Sequence, residues 1–317
     1  MRALLFPGQG AQYAGMGKAF FAGAEEARSL FLRADQVLGF ELSRLCFDGP
    51  ADQLEATDIC QPAILVTSLA ITEVLKRRQG LAPAQFKAVL GLSLGEYTAL
   101  CFAGALSFED AVRLVRERGL AMQEASMLEP SGMLSVLNAS DDQLERLVAE
   151  GAKAGVLVAA NYLAPGQVAL SGALPAIERA ESVAKQIGIR RAVRLKVAGA
   201  FHSPLMESAA HRLQAALDRV TIERPSVPVI ANVSAEPVTE PAAIAELLAR
   251  QLTSPVRWSQ SIGALLAQGT RTFVEPGPGR VLTNLVARQA GQPVTTFSID
   301  SMADVAAYQA AANAAAS

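Results

Sequence analysis

A chain of 317 residues, 51% hydrophobic and 18% charged, has the balance of a globular protein and is long enough for one large α/β domain with an insertion, or for two smaller domains. Its formal net charge of -2 offers no global attraction to nucleic acid or to an anionic membrane, so a polyanion-binding role is excluded as an expectation. The apolar runs fall short of a membrane span, and MRALLFPGQG passes into a glycine-rich loop with no signal-peptide core, so a cytoplasmic location is expected.

In chain order, RALLF reads as a buried strand that opens into the loop FPGQGAQ. AVLGLS is a second strand, leading into a helical continuation, GEYTALCFAGA. SFEDAVRLVRERGLAMQEA follows as an amphipathic helix with a capping-box start at Ser107. From Gly132 to Val197 the rhythm changes: strand GMLSVL, a helix from Asp141, strands VLVAAN and QVALSG around Pro165-Gly166, helix LPAIERAESVAKQI, and strand RAVRLKV. That order is β-α-β-β-α-β, a ferredoxin-like unit. PVIANV, RTFVEP and TTFSI then resume the buried-strand pattern, and the alanine-rich end VAAYQAAANAAAS is a frayed helix or a disordered tail.

The expected fold is therefore α/β: a large α/β-hydrolase-like domain with a mainly parallel sheet, residues 1–128 and 199–317, interrupted by a ferredoxin-like βαββαβ subdomain, residues 129–198. A ligand cleft is expected between the two. Cys46, Cys60 and Cys101 fit no metal or redox spacing, so buried reduced thiols are expected, with neither disulfide nor metal site.

Gly91, Ser93 and Gly95 form a G-x-S-x-G array between a strand and a helix, the setting of a nucleophile elbow. A serine in a tight structural turn is the alternative. A serine nucleophile needs a base, and the chain has two histidines. His211 sits in a polar-and-alanine helix and reads as surface or packing, whereas His202, in VAGAFHSPLM, lies where the chain re-enters the large domain beside the cleft. Elbow geometry offers the backbone N–H of Leu94 to an oxyanion, and the loop after the first strand brings Gln9 as a second donor, unless that glutamine faces solvent.

Phe108, Ala111, Val115, Arg118, Met122 and Ala125 form one helical stripe, which sets a guanidinium on an apolar face. It needs a carboxylate or phosphate there, unless a structural salt bridge or a snorkelling stem accounts for it. Beside a serine nucleophile, Arg118 can grip the free carboxylate of an acyl group whose thioester end meets Ser93.

With FPGQGAQYAGMG, GLSLGEYTAL, RERGLAMQ, SGMLSVL, ANYLAPGQVALSG, GAFHSPLM, SPVRW and EPGPGRVLTNL in order over nearly the whole chain, the sequence closely resembles the malonyl-CoA:acyl carrier protein transacylase family. The resemblance implies a ping-pong transfer. Malonyl-CoA is the donor, Ser93 carries a malonyl ester, and the phosphopantetheine thiol of an acyl carrier protein is the acceptor, with no permanently bound cofactor. It implies His202 as base and acid, Gln9 and Leu94 as oxyanion donors, Arg118 on the malonyl carboxylate, and the main-chain carbonyl of Gln251 orienting the histidine. It places Asn161 on the small-domain side of the cleft and Leu92, where many members carry histidine, beside the nucleophile. Phe201, in GAFHS, is compatible with malonyl use. A trans-acting acyltransferase serving a polyketide synthase, an editing acyl-thioester hydrolase and a non-catalytic carrier-binding scaffold are the competing readings. A monomer is the default, and Arg190, Arg194 and Lys196 on one strand face are either a carrier-docking surface or a solvated outer face.

Overall fold

The computed structural model describes residues 1–314. Its strands are β1 (Arg2–Phe6), β2 (Ala88–Gly91), β3 (Ser131–Leu137), β4 (Leu157–Ala164), β5 (Gln167–Ala173), β6 (Arg191–Arg194), β7 (Val229–Ile230), β8 (Pro237–Val238), β9 (Thr272–Pro276) and β10 (Thr295–Ile299). They form two sheets. The six-stranded sheet runs β10-β9-β1-β2-β7-β8 and is parallel except for the β7–β8 hairpin. The four-stranded sheet runs β4-β5-β3-β6 and is antiparallel throughout.

Helices cover both faces of the parallel sheet, which is why its strands read as unbroken apolar runs. Within that apolarity the pleat still sorts side chains by period two. Leu4, Phe6 and Val89 face one core, while Ala3, Leu5, Ala88 and Leu90 face the other. In the small sheet, Leu134, Val136 and Leu170 pack under the helices Asp141–Gly151 and Leu174–Ala184. Met133, Ala160 and Ala169 turn to the main core. Strand β4 is also stitched to the segment before the helix Trp258–Ala267: Val256 N–H donates to the Ala160 carbonyl at 2.8 Å and Tyr162 N–H to the Val256 carbonyl at 2.9 Å.

The helix Thr57–Gln79, 23 residues long, contains an 18-residue stretch with a mean hydropathy of 1.4, apolar enough to cross a membrane, but 83% of that stretch is buried inside the fold. It is the central core helix. It packs closely on the helix Phe108–Leu128 where Gly119 meets it, since a Cβ there would lie 2.7 Å from the Thr57 carbonyl oxygen and 2.6 Å from Asp58 Cα.

Two strand boundaries and the burial of one cysteine differ from expectation. The last small-sheet strand stops at Arg194 rather than Val197, because pairing with β3 covers only Leu134–Leu137 and Leu195 makes one more backbone bond, to Met133. Arg190 and Lys196 therefore lie outside the strand, and Arg194 is held by Glu181 and Glu178. The PVIANV strand shrinks to Val229–Ile230 because Asn232 is drawn into side-chain contacts described below. Cys46 and Cys60 are buried, but Cys101 is only partly so; all three are free thiols, each pushed up to about 12 by burial. The helix Met302–Ala314 packs through Val305 and Tyr308, and residues 315–317 of the alanine-rich end lie outside the described residues.

Gly119→Ala should cost about 1–3 kcal/mol, the range for overpacking a well-filled contact, because the added methyl meets backbone rather than a movable side chain. Equilibrium denaturation of the variant against the parent measures this.

Candidate active site

The elbow is made by backbone closeness. Strand β2 ends at Gly91, the chain turns at Ser93, and the helix Gly95–Phe102 begins at once. Ser93 has φ 52°, a left-handed value unusual for a residue with a side chain. The flanking glycines serve contact: a Cβ on Gly91 would lie 2.0 Å from the Gly95 carbonyl, and one on Gly95 would lie 2.1 Å from the Phe6 carbonyl oxygen. Gly8 is pressed on the elbow in the same way, its Cβ position 2.3 Å from the Leu92 carbonyl oxygen, so the loop carrying Gln9 lies against the turn. The Asn232 side chain clips the turn from behind. Its Oδ1 accepts from Ser93 N–H at 2.7 Å and its Nδ2 donates to the Gly91 carbonyl at 2.8 Å. Both are backbone groups that the sheet ladder leaves behind as the strand ends.

Ser93 Oγ is 2.7 Å from His202 Nε2, and His202 Nδ1 is 2.8 Å from the Gln251 carbonyl oxygen. A carbonyl only accepts, so Nδ1 carries the proton and Nε2 of the neutral ring is left to accept from the serine hydroxyl. Burial, reinforced by the Arg118 charge, pushes the His202 imidazole down to about 4. His202 itself has φ 58°, and its loop is fastened to the small sheet: Ser171 Oγ on β5 donates to the Phe201 carbonyl at 2.5 Å, and Ala200 N–H donates to Ser131 Oγ at 3.3 Å.

Arg118 completes the site. It is 1% exposed and has no carboxylate partner among the described residues; Nη2 donates to Ser93 Oγ at 3.0 Å and to Gln251 Oε1 at 2.9 Å, and Nη1 to Gln61 Oε1 at 2.7 Å. Its Nε, although buried, has no hydrogen-bond partner, and the guanidinium lies 5.6 Å from the Tyr97 ring centroid. Neither a salt bridge nor a snorkelling stem explains this residue. A buried cation with an unpaired donor beside a serine hydroxyl has the chemistry to accept an anionic group.

The sequence candidates fall into two groups. Ser93, His202, Arg118 and Gln251 touch one another directly. Around them, Leu94 starts the helix, its N–H outside the ladder in which Gly95, Glu96 and Tyr97 donate to Leu92, Ser93 and Leu94. Gln9 and Leu92 are half-buried at the loop–elbow contact, and Phe201 is buried in the main core next to His202. Asn161 sits at a bulge in β4, bridged to Val256, with its Oδ1 buried and unpaired. His211 is exposed on the helix Glu207–Leu217.

Sequence reasoning missed Gln61, Glu96, Ser171 and Asn232. Gln61 carries the same signal that exposed Arg118: a polar side chain amid the apolar run ICQPAILV. Glu96 has no periodic signal, because its whole helix is apolar and enclosed. Asn232 could have been suspected only as an amide closing a buried strand.

Comparison with known proteins agrees with this geometry. The acyl transferase domain profile matches residues 3–311. The malonyl CoA-acyl carrier protein transacylase of Bacillus subtilis is 46% identical over 287 residues, 90% of this chain and 89% of that protein. The chain belongs to the malonyl CoA-acyl carrier protein transacylase family. Among solved structures, the transacylase of that name from Clostridium perfringens superposes with a TM-score of 0.93 at 36% identity, covering 99% of this chain and 97% of that one. A malonyl-transacylase solved in complex with its type II PKS acyl-carrier protein gives a TM-score of 0.93 at 34% identity, covering 98% and 99%.

Nuclear magnetic resonance of the imidazole should find His202 neutral from the alkaline side down to about pH 5, with its midpoint near 4 rather than 6.5. Since the folded value lies below the unfolded one, the unfolded chain binds this proton more readily as pH falls below 6.5. His202 then withdraws stability at up to about 1.4 kcal/mol per pH unit until its folded value is reached. A midpoint near 6.5 would refute both statements.

Proposed function

We propose that this chain transfers a malonyl group from malonyl-CoA to the phosphopantetheine thiol of an acyl carrier protein, through a malonyl ester on Ser93. The observation that carries the reading is the Arg118 guanidinium, bonded through Nη2 to Ser93 Oγ and with its buried Nε left without a partner. A carboxylate three carbons from a thioester sulfur can occupy that donor while its carbonyl carbon lies at the serine.

In the first half-reaction the Ser93 hydroxyl gives its proton to His202 Nε2 as Oγ attacks the thioester carbonyl. The Leu94 N–H and the Gln9 amide stabilise the resulting oxyanion. Collapse breaks the carbon–sulfur bond, His202 returns its proton to sulfur, and CoA leaves as a thiol. In the second half-reaction the carrier's thiol gives its proton to His202, sulfur attacks the ester, and Ser93 regains its hydroxyl. No electron is gained or lost and no permanent cofactor is needed.

The site also tunes its own base. In the empty enzyme the Arg118 charge helps keep His202 neutral and able to accept. A bound malonyl carboxylate offsets that charge, which raises the proton affinity of His202 as the serine proton moves. An uncharged acyl group provides no such offset. Leu92 and Phe201 shape the pocket for the acyl chain, where one extra methyl is worth only about 1–3 kcal/mol of discrimination; selectivity against uncharged acyl groups rests on Arg118.

In this reading residues 129–198 are a ferredoxin-like subdomain inserted into an α/β-hydrolase-like domain of residues 1–128 and 199–317. Asn161 contributes from the subdomain side. One chain supplies every group used, so a monomer suffices. Carrier docking is assigned to exposed Arg190 and Lys196, because Arg194 is already paired with Glu181.

Incubation with malonyl-CoA or acetyl-CoA, without carrier protein, followed by intact-mass measurement should give a malonyl adduct absent from Ser93→Ala and little acetyl adduct. Arg118→Ala should lower malonyl adduct formation roughly 100-fold, the scale of two lost hydrogen bonds to a charge. Equal labelling by both thioesters would sink the carboxylate clamp, and accumulating free malonate without adduct would indicate a hydrolase. The double charge reversal Arg190→Glu, Lys196→Glu should raise KM for carrier protein about threefold or more while leaving KM for malonyl-CoA alone; an unchanged carrier KM removes the docking assignment.

A further inference from the structure

Glu96 is 2% exposed, in the first turn of the helix that follows Ser93, and no step of the transfer uses it. A buried carboxyl so placed is costly unless it is needed. Its Oε2 accepts from Gln251 Nε2 at 2.6 Å and from Asn232 N–H at 3.2 Å. Those two residues touch the nucleophile turn, the histidine and the arginine. Asn232 clips the elbow at Ser93 and Gly91. Gln251 holds His202 through its main-chain carbonyl and Arg118 through its side-chain oxygen, and its Nε2 also reaches the Ser93 carbonyl at 3.1 Å.

Resting on the acyl-transfer reading, we propose that Glu96 is a positioning residue: it fixes the direction of the Gln251 amide, and so holds Arg118 ready for a substrate carboxylate without pairing with it. A primary amide can face either way, and the carboxylate decides which. An ionised carboxylate only accepts, so Nε2 turns to Glu96 and Oε1 is left for the guanidinium. The reverse orientation would set N–H groups against Arg118 and an oxygen against Glu96. The arrangement is an ion pair with an amide between its members. The buried cation receives a counter-charge, yet no carboxylate of the protein occupies its donors. A direct Glu–Arg pair would compete with the malonyl group for them.

Burial pushes Glu96 up to about 7, although its bonds from Gln251 and Asn232 and the Arg118 charge oppose this. The charged and titratable groups around it are Arg118 from the helix Phe108–Leu128, Tyr97 on its own helix and, across Gln251, His202. Near neutral pH the arginine is cationic, and burial keeps the tyrosine and the histidine uncharged. Glu96 is therefore the group whose charge changes there.

The test is malonyl-ester formation from malonyl-CoA by the full chain, followed from about pH 6 to about pH 8.5, with Ser93→Ala and Glu96→Gln alongside; kcat/KM reports ionisations of the free enzyme. Wild-type kcat/KM should rise through about pH 7 as Glu96 ionises. Glu96→Gln, which keeps the shape but loses the enforced direction, should lack that rise and lose at least about tenfold at the alkaline end. Its Tm at that end should equal or exceed that of the wild type, because the net cost of ionising a carboxyl whose folded pKa is raised from 4.5 to about 7 is no longer carried. A merely structural role predicts a lowered Tm and an unaltered pH profile. Retention of kcat/KM within about twofold, or the same rise in both proteins, overturns the assignment. Should Glu96→Gln fail to fold, a flat wild-type profile overturns it and a rise through about pH 7 supports it. A wild type that forms no ester would overturn the acyl-transfer reading itself, whatever Glu96 does.

Discussion

A buried guanidinium with no carboxylate against it is the constraint around which the site is arranged. Arg118 is enclosed by apolar helices, and its charge must be satisfied by polar groups brought from distant parts of the chain: Gln61 from the central helix, Gln251 from the helix Pro241–Gln251, and Ser93 itself. Each of these bonds leaves the cation short of full neutralisation. That shortfall is useful, because an incoming carboxylate gains more from a half-satisfied guanidinium than from a paired one. The same charge suppresses protonation of His202, so the anion receptor and the base are coupled electrostatically before any substrate arrives.

The parallel sheet makes that arrangement possible. Strands β1 and β2 lie side by side, with Phe6 opposite Gly91, so the loop after β1 and the elbow after β2 leave the sheet at the same edge. Glycines at 8, 91 and 95 let these backbones touch, and Asn232 replaces the ladder bonds lost where the strand ends. The small sheet then holds the third component. Ser171 and Ser131 fasten the loop that carries His202, which makes the small sheet a support for that histidine.

Much of this was legible in the sequence. The parallel sheet follows from apolar strands alternating with amphipathic helices, and the antiparallel insertion from a change in that rhythm. Ser93 and Arg118 each broke a local rule, one by its glycine spacing and the other by a charge on an apolar stripe. His202 was found by scarcity and position. What stayed hidden is physically of one kind. Gln61, Glu96, Asn232 and Ser171 act through hydrogen bonds between segments 30 to 155 residues apart, and such bonds leave no periodic trace. The shortened β6 was hidden for a related reason, since strand length depends on how much of a partner strand is available.

The buried polar groups around Ser93 form a connected set, and connectivity changes what each member is worth. Treated alone, Gln251 is a hydrogen-bond acceptor for Arg118 and a backbone carbonyl for His202. Its amide also bonds Glu96, and Glu96 bonds Asn232, which returns to the nucleophile. A change in any one of these groups therefore reaches serine, histidine and arginine together. Ser93, His202 and Arg118 are thus one hydrogen-bonded assembly, and in the proposed transfer a substrate that fails to engage Arg118 leaves part of that assembly unused.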